Sequence, residues 1–358
     1  MENKSTEICR YGAGGIYFYV HFVTEVICFY MLGRYTGSLA ELWLFVLIYD
    51  MLAFVPQAVI GYFADCYQKF PVGITGLVLL GLAVVTGRLE GCVYLSLIIL
   101  CLGNACTHIS GAEVTLRSSA GKITPVALFV AGGSFGVISG KLLSATVLPP
   151  WIMLILAATA VPFVLYGQYY LEEANKKSEV PCKAFNYSKK SLTAVAVIIP
   201  VVFIIAVRGY MGYGIPTSWN KTVVQTVFLF CTMGIGKALG GILADNFGPK
   251  KTAMLSVAIS LPFLMLGDQL IIVSLIGVMG FSMTMSVTLA LLVSVLPERP
   301  GLAFGLTTTG LFLGTAPIFF FKFTTVTSNC VMIAVLTVVC LGIMAVVIRS
   351  DGGGGDVD

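Results

Sequence analysis

The sequence predicts an all-α membrane protein of twelve transmembrane helices, arranged as two pseudo-symmetric bundles of six. Three observations carry this prediction. Of 358 residues, 58% are hydrophobic and only 11% are charged. The apolar residues fall in runs of roughly 20, the length of a helix that spans a bilayer. A G-x-x-A-D motif occurs twice, half a chain apart, at Gly61 to Asp65 and Gly241 to Asp245.

Composition comes first. A soluble domain carries about 25% charged residues. A chain with a mean hydropathy of +0.96 lacks the polar surface to cover itself in water. Its solvent is the bilayer, and twelve spans leave room only for short loops. The net charge of +4 reflects membrane topology and implies no nucleic-acid partner. Among ten cysteines, Cys28, Cys92, Cys101, Cys106, Cys231, Cys330 and Cys340 sit in apolar runs with no CxxC pair, and read as small packing residues. The first apolar run follows Glu2, Lys4, Glu7 and Arg10 and lacks a small-residue cleavage site, so no cleaved leader is expected.

The runs place helices at 13–33, 41–64, 70–88, 91–111, 123–146, 150–170, 191–212, 222–244, 250–267, 269–294, 301–321 and 328–348. Polar or turn-forming stretches separate them, including Asp65 to Lys69, Arg117 to Lys122, Pro149-Pro150 and Pro297 to Pro300. With a cytoplasmic N-terminus, 14 of the 21 Lys and Arg residues fall in inside segments and 4 in outside loops, with 3 within helices. That bias predicts an integral, multi-pass protein of the cell membrane with both termini on the cytoplasmic side. The expected organisation is an N-terminal bundle at 1–170, a Lys-rich cytoplasmic linker at 171–190, a C-terminal bundle at 191–349 and a flexible tail at 350–358.

The repeat argues for duplication. The two G-x-x-A-D copies are offset by 180 residues and follow helices two and eight. Lys69 follows the first copy; Gly248, Lys250 and Lys251 follow the second. Gly132 and Gly136 of helix five echo Gly310 and Gly314 of helix eleven at an offset of 178.

Two six-helix halves, each with G-x-x-x-D and a basic residue after its second helix, resemble the major facilitator superfamily. The likeness covers essentially the whole chain, although Gln68 replaces the usual glycine in the first copy. It implies that Gly61, Asp65, Lys69, Gly241, Asp245, Lys250 and Lys251 form a gating motif that helps hold an outward-open state. A narrower likeness is to the fosmidomycin-resistance-type branch. Its marks are His21-Phe22-Val-Thr-Glu25, Gly103-Asn-Ala105-Cys-Thr-His108 and Gly132-Gly133-Ser-Phe-Gly136. The usual Phe-His-Pro is Thr107-His108-Ile109 here, and Lys141 follows Gly140 in place of the antiporter-type proline.

Five full charges lie inside apolar runs: Glu25, Asp50, Lys141, Arg208 and Lys237. Facing lipid they would cost on the order of 12–17 kcal/mol together, so they are expected to face water or one another. His21 and Glu25, at i and i+4, share one face of helix one. They are either a proton-coupling pair or a packing hydrogen bond, and Asp50 is the other protonation candidate. Arg208, Lys237, Asn104, Gln57 and Lys141 are the candidate substrate contacts, with Lys141 alternatively snorkelling to the interface. The repeat maps Arg208 onto Cys28, one turn from Glu25, which suggests that the two charges approach each other. Three cations against two anions favour an anionic or amphiphilic solute. Asn104 and His108 are cavity lining or interhelical glue, and Glu113 with Arg117 a gate or a surface ion pair.

The leading expectation is a proton-coupled secondary exporter working by alternating access as a monomer, with no cofactor and no metal. An importer or facilitator of a small organic anion is the alternative on the same fold. An intramembrane enzyme built on His21, Glu25, His108 and Asp50 lacks any H-E-x-x-H spacing, and no GxxxxGK[ST] loop supports ATP coupling.

Overall fold

Apolar runs punctuated by glycine and proline become helices throughout the computed structural model, which describes residues 4–36, 42–176, 194–321 and 325–347. The linker residues 177–190, the tail 350–358, and Lys322 and Arg349 of the charge count lie outside the described residues. Twelve helical elements follow in order. In the first half these are α1 (Lys4–Thr36), α2 (Leu42–Phe54 and Pro56–Cys66), α3 (Val72–Thr86), α4 (Val93–Arg117), α5 (Thr124–Ser144) and α6 (Ile152–Lys176). The second half holds α7 (Ala194–Gly214), α8 (Val223–Phe247), α9 (Pro249–Leu266), α10 (Ile271–Val295), α11 (Pro300–Thr315, with a 3₁₀ turn Ala316–Phe319) and α12 (Val326–Val347). Helix α6 runs through Lys176, past the boundary expected at residue 170.

Ten of these are long and apolar enough to cross a membrane. The exceptions are α3, with 15 residues, and α9, which opens on Pro249-Lys250-Lys251. Each is packed against a full-length neighbour, α3 on α4 and α9 on α10.

Local chemistry sets the breaks. Pro56 has no N–H to donate and interrupts α2 at Val55. Thr222 caps α8 with a reciprocal capping box to Gln225. Gly248 joins α8 to α9 in one residue at φ +90°, with Pro249 starting the next helix. In the first copy Gln68 holds the equivalent place, no positive φ is used, and the chain takes five residues from Cys66 to Val72. The departure of the first motif from its usual glycine is therefore a longer turn.

The packing repeats with the sequence. In the first half α5 lies along α1, and in the second α11 lies along α7. Between halves, α2 packs on α11 and α8 on α5. The glycines predicted to allow close approach sit at these contacts. A Cβ on Gly136 would meet the Phe22 carbonyl at 2.5 Å and Glu25 Cβ at 2.7 Å; on Gly310 it would meet Ile205 and Val202 of α7.

Gly136→Ala should therefore lower the thermal melting temperature of the purified protein, by an amount corresponding to about 1–3 kcal/mol of overpacking. Gly15→Ala, with no atom within 4 Å of the added methyl, is the matched control and should melt like the parent.

Candidate functional site

The site begins with the α1–α5 contact. Glycine at 133 and 136 leaves the space that His21 and Glu25 of α1 fill; a side chain at 133 would strike the His21 ring. Helix α4 closes the other side with Asn104 and His108, one turn apart. His21, Glu25 and His108 are 8%, 6% and 7% exposed.

The histidine tautomers follow from their partners. His21 Nδ1 lies 2.8 Å from the Phe129 carbonyl and His108 Nδ1 2.9 Å from the Asn104 carbonyl. A carbonyl only accepts, so each Nδ1 carries a hydrogen. Both Nε2 atoms then face Glu25 Oε1, His108 at 3.3 Å and His21 at 3.8 Å. A neutral Nε2 and a carboxylate oxygen are both acceptors, so at 3.3 Å a proton on either partner would relieve their repulsion. Asn104 Nδ2 donates to the same oxygen at 3.0 Å and also faces Tyr49 Oη at 3.2 Å and Cys28 Sγ at 3.4 Å. The cluster is thus a buried polar site made by α1, α2 and α4, with a backbone carbonyl from α5.

The other candidates take distinct places. Asp50 is buried, and its Oδ2 has no hydrogen-bond partner among the described residues. Lys237, from α8 in the other half, lies within electrostatic reach of Glu25 and both histidines. Lys141 is exposed, with Nζ between the rings of Phe29 (5.4 Å) and Phe230 (5.0 Å), where α1, α5 and α8 meet. Gln57 is fully buried in the α2–α11 seam, donating to the Ala53 carbonyl at 2.8 Å. Arg208 lines a pocket among α7, α9, α10 and α12, formed with Met211, Ser260, Phe281, Thr284 and Cys340. Its guanidinium stacks 5.3 Å from Phe281, and its Nε and Nη1 lack hydrogen-bond partners among the described residues. Glu25 is held by His108 and Asn104 and not by Arg208, so the approach suggested by the repeat is absent from this arrangement. The rotation of α7 about its axis, invisible to the repeat, turns Arg208 into the second half.

The repeated motif forms two latches at one end of the bundle. Asp65 at the end of α2 accepts from the backbone N–H of Gly301 (3.1 Å) and Leu302 (2.8 Å), in the first turn of α11. Asp245 at the end of α8 accepts from Ile123 N (2.7 Å), Thr124 N (2.9 Å) and Thr124 Oγ1 (2.5 Å), where α5 begins. A carboxylate on free amides at a helix N-terminus is favourable through both hydrogen bonding and the helix dipole. Each latch ties one half to the other, and the two are related by the pseudo-two-fold. The first has an addition: Arg117 Nη2 sits 2.9 Å from Asp65 and 3.4 Å from Glu113. All three side chains are buried, so the Glu113–Arg117 pair is no surface bridge. Lys69 and Lys251 are exposed. Gly61 and Gly241 provide the close crossings beside these latches, against Gly301 and Ala127.

Two parts escaped the sequence reading. His108 stood as lining or glue, yet it is the nearest basic group to Glu25. Arg117 was paired with Glu113 alone, yet its shorter contact is Asp65. The signal for the first was available: the chain has two histidines, and both lie in polar patterns.

No protein-family model matches the chain. In sequence it is similar to the uncharacterized MFS-type transporter YfnC of Bacillus subtilis (strain 168), 26% identical over 306 residues, covering 75% of this chain and 73% of that protein. It is also similar to the fosmidomycin resistance protein of Escherichia coli (strain K12), 24% identical over 318 residues, covering 79% and 75%. In fold it is similar to the human organic anion transporter MFSD10 (TETRAN), with a TM-score of 0.67 at 13% identity, covering 96% of this chain and 100% of that one. The E. coli fucose:proton symporter FucP gives 0.64 at 12% identity, covering 94% and 97%. At such identities the structural likeness is one of fold.

Asp65→Asn should weaken the first latch by about 1.5–3 kcal/mol, the range for hydrogen bonds to a charged group. Spin labels placed across this end of α2 and α11 should then report a larger population of long distances. An unchanged distance distribution would remove the latch from the gating equilibrium.

Proposed function

We propose that this chain, a major facilitator superfamily transporter and integral multi-pass membrane protein, is a proton-coupled exporter of a small anionic or amphiphilic organic solute. One observation supports the coupling: the Nε2 atoms of His21 and His108 face Glu25 Oε1 at 3.8 and 3.3 Å, acceptor against acceptor, where a proton is favourably held. Asp50, buried and unpartnered at its Oδ2, is the second protonation candidate. A proton at such a site neutralises a carboxylate that is expensive to move through a low-dielectric layer.

On this reading the bundles 1–170 and 191–349 rock against each other about the site, the linker and both termini lie in the cytoplasm, and the monomer is the working unit. The two latches sit at the end that the basic loops assign to the cytoplasm, so the arrangement corresponds to a carrier closed inward. FucP has also been solved in an outward conformation and matches over 95% of this chain with a TM-score of 0.62. Symport of fucose with protons in FucP supports proton coupling as a use of this fold. The name of the fosmidomycin resistance protein supports export. MFSD10, an organic anion transporter, is consistent with the excess of cations Lys237, Lys141 and Arg208 over Glu25 and Asp50. Lys237 is the substrate contact of choice, since it reaches the proton site from the opposite half.

Proteoliposomes with an imposed pH gradient test the reading. Glu25→Gln should abolish gradient-driven accumulation while leaving counterflow exchange of the same organic anion measurable. Gradient-driven flux equal to that of the parent would remove Glu25 from coupling. In the parent, flux should rise as the driving side is acidified and level off once the cluster is fully protonated there.

A further inference from the structure

We propose that His21, Glu25 and His108 also bind a divalent first-row transition ion, with Zn²⁺ as the natural probe. The chain has two histidines, and both converge on one carboxylate. Their rings lie 4.3 Å apart in an edge-on arrangement. The ligand atoms His21 Nε2, His108 Nε2 and a Glu25 oxygen all lie within 4.8 Å of one another.

Three features make this a metal-type set. First, each Nδ1–H is held by a backbone carbonyl, from Phe129 and Asn104, which fixes the tautomer that leaves Nε2 free to ligate. That outer-shell arrangement is the usual one for metal-binding histidines. Second, the spacing is close to what an ion would impose. Bonds of about 2.0–2.2 Å in a tetrahedral site hold ligand atoms roughly 3.3–3.5 Å apart. The observed Nε2 to Oε1 separations are 3.3 and 3.8 Å, so closure needs only side-chain adjustment. Third, two imidazoles with one carboxylate suit Zn²⁺, Fe²⁺, Ni²⁺ or Cu²⁺, whereas Ca²⁺ and Mg²⁺ prefer all-oxygen shells. Asn104 Oδ1, buried beside the cluster, has no hydrogen-bond partner among the described residues and is an acceptor available within this polar pocket.

The surroundings decide the electrostatics. Asp50 on α2 adds a negative charge near Glu25, and Lys237 on α8 opposes a cation. Tyr49 and Cys28 complete the titratable groups that face the carboxylate, both through Asn104. The ion needs Glu25 ionised and both Nε2 lone pairs free, so it displaces the proton that the cluster otherwise holds. Metal and proton compete for the same atoms, and affinity falls as the pH is lowered. Binding itself stands apart from the transport reading. Only its consequence, that the ion blocks proton-driven flux, rests on that reading.

The test uses the full chain, purified without a histidine tag, in detergent micelles at neutral pH. Calorimetric titration with Zn²⁺ should find one ion per chain, removable by a chelator. Glu25→Gln and His108→Gln should each weaken it by about 100-fold or more, beyond what outer-shell changes commonly cause. Cys66→Ser, which removes an exposed thiol, should leave it unchanged. Displacement of one proton per ion gives about a tenfold loss of affinity per pH unit on the acid side. Should the variants fail to fold, the parent protein with ¹⁵N-labelled histidine answers directly: Zn²⁺ must shift both Nε2 resonances. No bound ion, unshifted resonances, or full affinity in either variant would overturn the proposal. Surviving proton-driven flux in Glu25→Gln would overturn the coupling reading alone and leave the binding result standing.

Discussion

A carboxylate in the hydrocarbon layer needs partners, and Glu25 organises its neighbourhood through that need. Burial takes it out of bulk water, so each nearby polar group is placed to share charge or a proton. Asn104 donates to it, His108 and His21 face it, and the backbone carbonyls of Phe129 and Asn104 fix both rings. The room for these groups comes from glycine on α5, because a side chain at 133 would strike the His21 ring. The small-residue stripe of α5 therefore has two effects. It brings α1 and α5 together as packing alone requires, and it leaves a pocket in which a polar cluster can be fully enclosed.

The pseudo-two-fold explains the other end. Two aspartates at equivalent places reach across the halves to equivalent helix N-termini, α11 and α5. The symmetry is imperfect where each half does different work. Asp65 shares Arg117 and Glu113, whereas Asp245 adds Thr124 Oγ1. The N-terminal half is thus the more heavily charged at its latch, and it also holds the His21, Glu25 and His108 cluster. The C-terminal half supplies Lys237 and the Arg208 pocket.

Much of this was legible in the chain. Twelve apolar runs, the 180-residue offset, and the i, i+4 relation of His21 and Glu25 are local or periodic properties, and the helices follow them. What was not legible depends on how helices rotate and cross. His108 joins Glu25 because α4 packs beside α1, 83 positions apart in sequence. Asp65 meets Arg117 because α2 and α4 end side by side, although the motif placed Lys69 nearer in sequence. Arg208 carries the same hydropathic signature as Lys237, yet one enters a pocket within its own half and the other approaches the Glu25 cluster. Hydropathy says that a charge must be hidden, and only packing says behind which neighbour.

The same two helices that build the site also carry the latches. His108 and Arg117 are nine residues apart on α4, about 13 Å at 1.5 Å per residue. On α5, Phe129 lies five residues beyond Thr124, the partner of Asp245, or about 7.5 Å. Helices of this length move as rigid bodies, so a shift at one end must appear at the other unless the helix bends. Between these points α4 contains no proline, and Pro125 of α5 lies in the first turn, where a proline does not break the helix. In the proposed cycle a proton on Glu25 alters how tightly α1 is held by α4, and α4 leads to Arg117 and the first latch. Coupling between a proton and the gate then needs no long relay. It requires only that the hydrogen bonds of Asp65 and Asp245 be weak enough for a change of one charge at Glu25 to outweigh them. With each charged hydrogen bond worth roughly 1.5–3 kcal/mol, and a buried charge at mid-membrane about 2.5–3.5 kcal/mol, the two quantities are of the same size. On the proposed reading, near-equality of that kind would let one proton decide which way the protein faces.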